Sequence, residues 1–159
     1  MKFTGSLPTV TTPIKTNRFD NGHWTFPEQM GEGVGFIYVI RDHVLHRCYL
    51  GKKLYYGAGK LNKGKESNWR RYTSSSKVLG ELLKVRPKEE FEFICLEQYK
   101  TKGTLSYSET WSLCRVEAPT SNEWYNTLIE KVSWPVKEQI TKRHKDRLER
   151  VILWDEFKE

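Results

Sequence analysis

The chain has 159 residues, 37% apolar and 13% aromatic, with 27 Lys+Arg against 20 Asp+Glu and a net charge of +7 at pH 7. That length suits one domain with elaborated ends, and no apolar run approaches the ~20 residues of a membrane span, which excludes a helical membrane protein. The basic excess points either to a polyanionic partner, most often nucleic acid, or to a solvated basic surface. Cys48, Cys95 and Cys114 are odd in number and form no C-x-x-C pair. They predict buried free thiols rather than a disulfide framework or a cysteine zinc site. The first residues lack a signal peptide's continuous apolar core, so a soluble, cytoplasmic protein is expected.

In chain order, residues 1–32 are rich in Thr, Pro, Asn and Gly and read as an irregular extension, with Phe19, Trp24 and Phe26 as anchors to a core. "GEGVG" gives flexibility but lacks the dinucleotide-binding spacing. "VGFIYVI" and "RCYLGKKLYY" are β-branched and aromatic, and the short connector between them predicts an antiparallel hairpin. Period-2 alternation puts Phe36, Tyr38 and Ile40 on one face, Ile37 and Val39 on the other, and Tyr49 with Gly51. "GAGKLNKGKESN" is a basic, glycine-punctuated loop.

Val78, Leu79, Leu82 and Leu83 then follow helical spacing behind Ser76 as N-cap. "EFEFICLEQY" predicts a third strand, and "SYSETWSLCRVEA" a helix with Tyr107, Trp111 and Cys114 on one stripe. "SNEWYNTLIEKV" is short and ambiguous. Pro135 opens a long amphipathic helix with Ile140, Leu148, Val151 and Ile152 inward and a basic cluster from Lys142 to Arg150 outward. The order β-β-α-β-α predicts a small α+β domain around a three-stranded antiparallel sheet flanked by helices. Its divisions are an extension at 1–32, a central domain at 33–130 and a C-terminal basic helix at 131–159.

Each candidate for chemistry has a plainer reading. A strand tyrosine is ordinarily half-buried packing, yet pairing of the two strands could bring Tyr38 and Tyr49 to one face. With an ordinary pKa near ~10, a tyrosine becomes a base only beside cations such as Lys52, Lys53 or a metal. Glu109 fits either a capping box with Ser106 or a hard-cation ligand. Arg70 and Arg71 are surface arginines or bidentate phosphate binders. His43, His46 and Cys48 resemble a metal set but lack a fourth ligand. The last helix is a solvated face or a DNA reader.

Together these segments resemble the GIY-YIG nuclease superfamily. "GFIY" stands for its first half and "CYLG" for its second, with Leu50 in place of the usual isoleucine and ten residues between Tyr38 and Tyr49. "ESNWRRYTSSSKVL", a strand, "LSYSE" and "WYN" follow in an order similar to the phage-encoded Seg-type, homing-endonuclease-like branch. The resemblance implies a DNA endonuclease using Mg²⁺ or Mn²⁺. It implies that Tyr38 and Tyr49 activate water, with Tyr38 as general base. Arg70 would hold the scissile phosphate, Glu109 the metal, and Asn126 would support the site by hydrogen bonding. Lys52, Lys53, Lys60, Lys63, Lys65 and Arg71 would line the approach of double-stranded DNA, and a phage-encoded chain would act in the host cytoplasm. The histidine that other branches carry after the arginine has no counterpart. The alternative is a DNA- or RNA-binding protein on the same scaffold that does not cleave.

Overall fold

β-branched and aromatic residues build β1 (Gly35–Asp42), β2 (Arg47–Leu54) and β3 (Phe91–Tyr99) in the computed structural model, which describes residues 19–57, 61 and 63–159. Both pairings are antiparallel and the strand order is β2-β1-β3, the three-stranded sheet predicted. The hairpin turn closes with His46 in the left-handed region (φ 58°). Where β1 meets β3 the register shifts between Ile37 and Tyr38. Such a bulge re-aims a strand locally, and here it lies at Tyr38.

The two faces sort as period-2 alternation requires. Phe36, Tyr38 and Ile40 join Trp24, Phe26, Trp69 and Phe93 in one aromatic cluster, with Tyr49 packed against it. Ile37 and Val39 join Leu50, Ile94 and Leu96 in the other. The first face is covered by residues 19–30, by a 3-10 turn at Trp69–Arg71 and by α1 (Lys77–Val85). Ser76 caps α1 by accepting from Leu79 N at 3.2 Å. Leu79 is its buried anchor, whereas Val78 is exposed. The second face is covered by α2 (Lys102–Arg115) and α3 (Lys142–Ile152).

Four local expectations are corrected. The second helix starts a turn early: Thr101, not Ser106, is the N-cap and accepts from Thr104 N at 3.3 Å, so Ser106 and Glu109 form no capping box. Its buried stripe is Leu105, Ser108, Ser112 and Leu113, while Tyr107 and Cys114 face solvent. The small serines make room for His144, which is fully buried between the Tyr99 hydroxyl (2.8 Å) and Ser112 Oγ (2.7 Å). Burial, with Lys145 nearby, lowers its pKa to about 3 and keeps it neutral.

The last helix does not open at Pro135. Thr141 caps it, and residues 133–140 form no helix, with Lys137 N and Glu138 N both donating to Thr104 Oγ1 at 3.0 Å. Nor is its charge all outward. Arg147 is buried and donates to Cys95 O and Thr25 O, and Arg143 pairs with Glu97. Among the described residues no helix is long and apolar enough to cross a membrane.

Asp42, at the end of β1, ties the hairpin to the end of α1 and to the segment beside β2. It accepts from Val44 N and Leu45 N, from Arg86 through two N–H groups (2.6 and 2.7 Å), and from the Tyr125 hydroxyl (2.7 Å). Burial alone would raise its pKa, but these donors outweigh it and hold the carboxyl well below the usual range. Stability drawn from this group is present above the unfolded carboxylate pKa and lost as pH falls through the folded one. Asp42→Ala would strand the Tyr125 hydroxyl and the two turn amides without their acceptor, although Arg86 keeps Glu90, and should cost about 1–3 kcal/mol in urea unfolding. A change within about 0.5 kcal/mol, the range of ordinary surface substitutions, would contradict this role.

Candidate active site

The two tyrosines meet because the hairpin register sets Tyr38 opposite Gly51 and Ile40 opposite Tyr49. Their ring centroids are 6.2 Å apart. Gly51 is required: a Cβ there would lie 2.5 Å from the Tyr38 hydroxyl oxygen. Tyr38 is 1% exposed, and its hydroxyl end lies at the base of a cleft of about 470 Å³ at the β2 edge. Burial above all, then Tyr49, Tyr72 and the Glu109 carboxylate, push its pKa well above the ordinary value. Burial also raises Tyr49, opposed by a hydrogen bond with Ser75. Both rings are therefore neutral at physiological pH.

The edge of β2 is closed by residues 123–126. Cys48 N donates to Glu123 O and Tyr125 N to Cys48 O. Asn126 then pairs with Leu50 as a strand backbone would, Oδ1 accepting from Leu50 N (2.9 Å) and Nδ2 donating to Leu50 O (2.7 Å). A side-chain amide thus satisfies the edge between the second tyrosine and Gly51.

Glu109 approaches from α2, around the same edge. Its side chain is 15% exposed, and Lys52 Nζ lies 3.1 Å from its carboxylate and 3.6 Å from that of Glu130. Burial raises the Glu109 pKa and Lys52 partly restores it. Alternation sends Lys52 to this side and Lys53 to the tyrosine face, where its ammonium sits 4.0 Å from the Tyr72 ring centroid. Burial lowers the Lys53 pKa.

The remaining candidates stand further off. Arg70 stacks over Trp69, pairs with Glu66 and Asp20, and lies outside the cleft lining. Arg71, Lys63 and Lys65 are exposed, and Lys60 lies outside the described residues. His46 stacks on Trp154 and His43 meets the same ring edge-on while hydrogen-bonding Glu92 of β3, so both serve packing of the C-terminal segment. Burial raises the Cys48 thiol to about 12, leaving no thiolate beside them.

A family model described as "Putative endonuclease segE, GIY-YIG domain" matches residues 19–129. The chain belongs to the SegE-type GIY-YIG nuclease family. Searches of the curated proteins and of the solved structures returned no match. The family match reaches back to residue 19, and Trp24, Phe26 and Met30 from that lead-in are core residues of the GIY-YIG domain.

Among the described residues, no group of three or more His, Cys, Asp or Glu could hold a metal alone. The donor chemistry still fits a hard divalent ion. Glu109 and Glu130 already flank one cation, the Lys52 ammonium, and Mg²⁺ commonly takes one or two carboxylates with water and phosphate oxygens completing its shell.

Sequence reasoning missed Tyr72, which lines the cleft, packs edge-on against the Tyr38 ring (centroids 6.0 Å apart) and carries Lys53. Its signal was its place in "WRRYTSSSK", hidden by attention to the arginines. Lys77, at the start of α1, also lines the cleft and was missed. Gly51→Ala should displace the Tyr38 ring, costing about 1–3 kcal/mol of stability by overpacking and moving the hydroxyl from the cleft. Thermal unfolding together with a DNA-cleavage assay checks both effects, and full activity in the variant would contradict the close approach.

Proposed function

We propose that the protein is a metal-dependent endonuclease that hydrolyses phosphodiester bonds of double-stranded DNA in this cleft. The convergence of Tyr38, Tyr49 and Glu109 around the β2 edge carries the reading, because binding DNA would need no half-buried carboxylate facing a phosphate. Hydrolysis needs an oriented water, neutralised phosphate charge and help for the leaving oxygen.

The tyrosine hydroxyls orient the water in their neutral form. Tyr38 takes the water's proton as its own passes to the Tyr72 hydroxyl, which in turn releases its proton to solvent in the open cleft that it lines. Lys52, Lys53 and Lys77 bring positive charge to the phosphate. Arg70 would join them by exchanging Glu66 and Asp20 for phosphate oxygens. A Mg²⁺ or Mn²⁺ ion on Glu109, when bound, supplies charge stabilisation for the departing 3′ oxygen. Asn126 holds the backbone of Leu50, between Tyr49 and Gly51, in register.

Plasmid cleavage in Mg²⁺ or Mn²⁺ tests this. Wild type should cut, while Glu109→Gln and Tyr38→Phe should each fall by about 10²-fold or more, the scale of a lost acid–base or charge-stabilising group. Equal cleavage by Glu109→Gln would remove the metal role. DNA retention without cutting by wild type would favour the non-cleaving DNA- or RNA-binding reading.

Folding and chemistry make opposite demands on Glu109. Its raised pKa means that the ionised carboxylate opposes folding above that pKa, whereas the neutral amide does not. Glu109→Gln should therefore keep or raise the melting temperature at pH 7 while losing activity. A lower melting temperature would show that the carboxylate is structural.

A further inference from the structure

Beside the cleft lies a second groove of about 280 Å³, bordered by Lys102, Lys131 and Trp134. The two depressions share Lys52 and Glu130 as a common wall. A strand whose phosphate sits over Glu109 would thus continue into the groove on leaving the cleft. We propose that this groove binds an unstacked nucleotide next to the scissile phosphate, its base on the Trp134 indole and its phosphate on Lys102 or Lys131. The inference rests on the nuclease reading and adds a nucleotide subsite to it.

Trp134 is unusual in being exposed on a backbone held in place. Its side chain is 57% accessible. Yet a Cβ at Gly103 would lie 1.8 Å from Pro135 O and 2.9 Å from Trp134 O, so the chain is pressed directly onto α2. Thr104, one residue on, clasps the amides of Lys137 and Glu138. Glycine at 103 admits a contact that any other residue would block. A large ring left in water forgoes the stabilisation that burial would give, and a fixed backbone reduces the ordering cost when a flat partner arrives.

The charges fit the same occupant. Lys102 Nζ is 5.8 Å from the Trp134 ring centroid, at the outer limit of cation–π contact, so little holds it from a phosphate. An aromatic face flanked by lysines is the arrangement that binds single-stranded nucleic acid, the ring taking the base and the cations the backbone. Glu130, on the shared wall, repels a second phosphate there and pairs with Lys52. A fully stacked duplex offers no free base, so the site selects a bulged or unpaired nucleotide beside the cut.

The test uses the full-length Glu109→Gln protein, two duplexes differing by a one-nucleotide bulge, and fixed salt. Trp134→Ala should weaken retention of the bulged duplex about tenfold, the scale of one lost base–aromatic stack, and leave the paired duplex nearly unchanged. Trp134→Phe should recover most of the loss, and 5-iododeoxyuridine at the bulge should photo-crosslink to Trp134. Retention of the bulged duplex by Trp134→Ala as strong as by the parent protein, or a crosslink mapped elsewhere, overturns the subsite and leaves the nuclease reading intact. Retention of neither duplex by the parent protein overturns the nuclease reading and the subsite with it.

Discussion

The close approach of Tyr38 to Gly51 is the constraint on which the site depends. The tyrosine ring lies where any other residue's Cβ would stand, and this lets a strand-centre hydroxyl reach the cleft at the sheet edge. The register that sets this pair is fixed at both ends. Asp42 locks the turn through Arg86 and Tyr125, and Asn126 occupies the open edge of β2 beside Tyr49. Tyr125 and Asn126 are consecutive, so one short extended segment secures the turn and the edge together. A slip of one residue between β1 and β2 would leave the two tyrosines on opposite faces of the sheet.

Burial then gives the cleft its electrostatic character. Tyr38, Tyr49 and Glu109 are shifted towards neutrality, and so is Lys53 in the opposite sense, all with burial as the largest cause. Groups held this way respond strongly to an incoming charge, because a desolvated site screens little. A polyanion brought close would reinforce the lysine charges. Lys52 has two roles in the chain as it stands: it offsets Glu109 and Glu130, and it forms the wall between cleft and groove. Such polarised surroundings are typical of functional sites and are set against stability elsewhere in the fold.

The sequence made legible whatever was local. Strand alternation separated Phe36, Tyr38 and Ile40 from Ile37 and Val39, the third strand was evident, and Ser76 was a recognisable cap. What failed depended on distant partners. Tyr107, Trp111 and Cys114 looked like the helix's buried stripe because they recur at helical spacing. The true stripe carries Ser108 and Ser112, and the second of these meets His144, over thirty residues later. Arg147 reads as a surface charge until Cys95 O and Thr25 O, contributed by two other segments, are seen to take its N–H groups. The helix expected from Pro135 shares that fault, since Gly103 and Thr104 hold the chain there against α2. Glu109 was found for its chemistry, while its helical neighbours suggested a cap that Thr101 supplies.

The central claim is that Tyr38, Tyr49 and Glu109 face one DNA-receiving cleft. It is tested most directly by ¹⁹F NMR with 3-fluorotyrosine placed at positions 38 and 49 in turn, in the Glu109→Gln background. Titration with duplex DNA should move both resonances along one shared saturation curve. Saturating DNA that leaves both resonances unmoved, or moves them along different curves, would contradict the account.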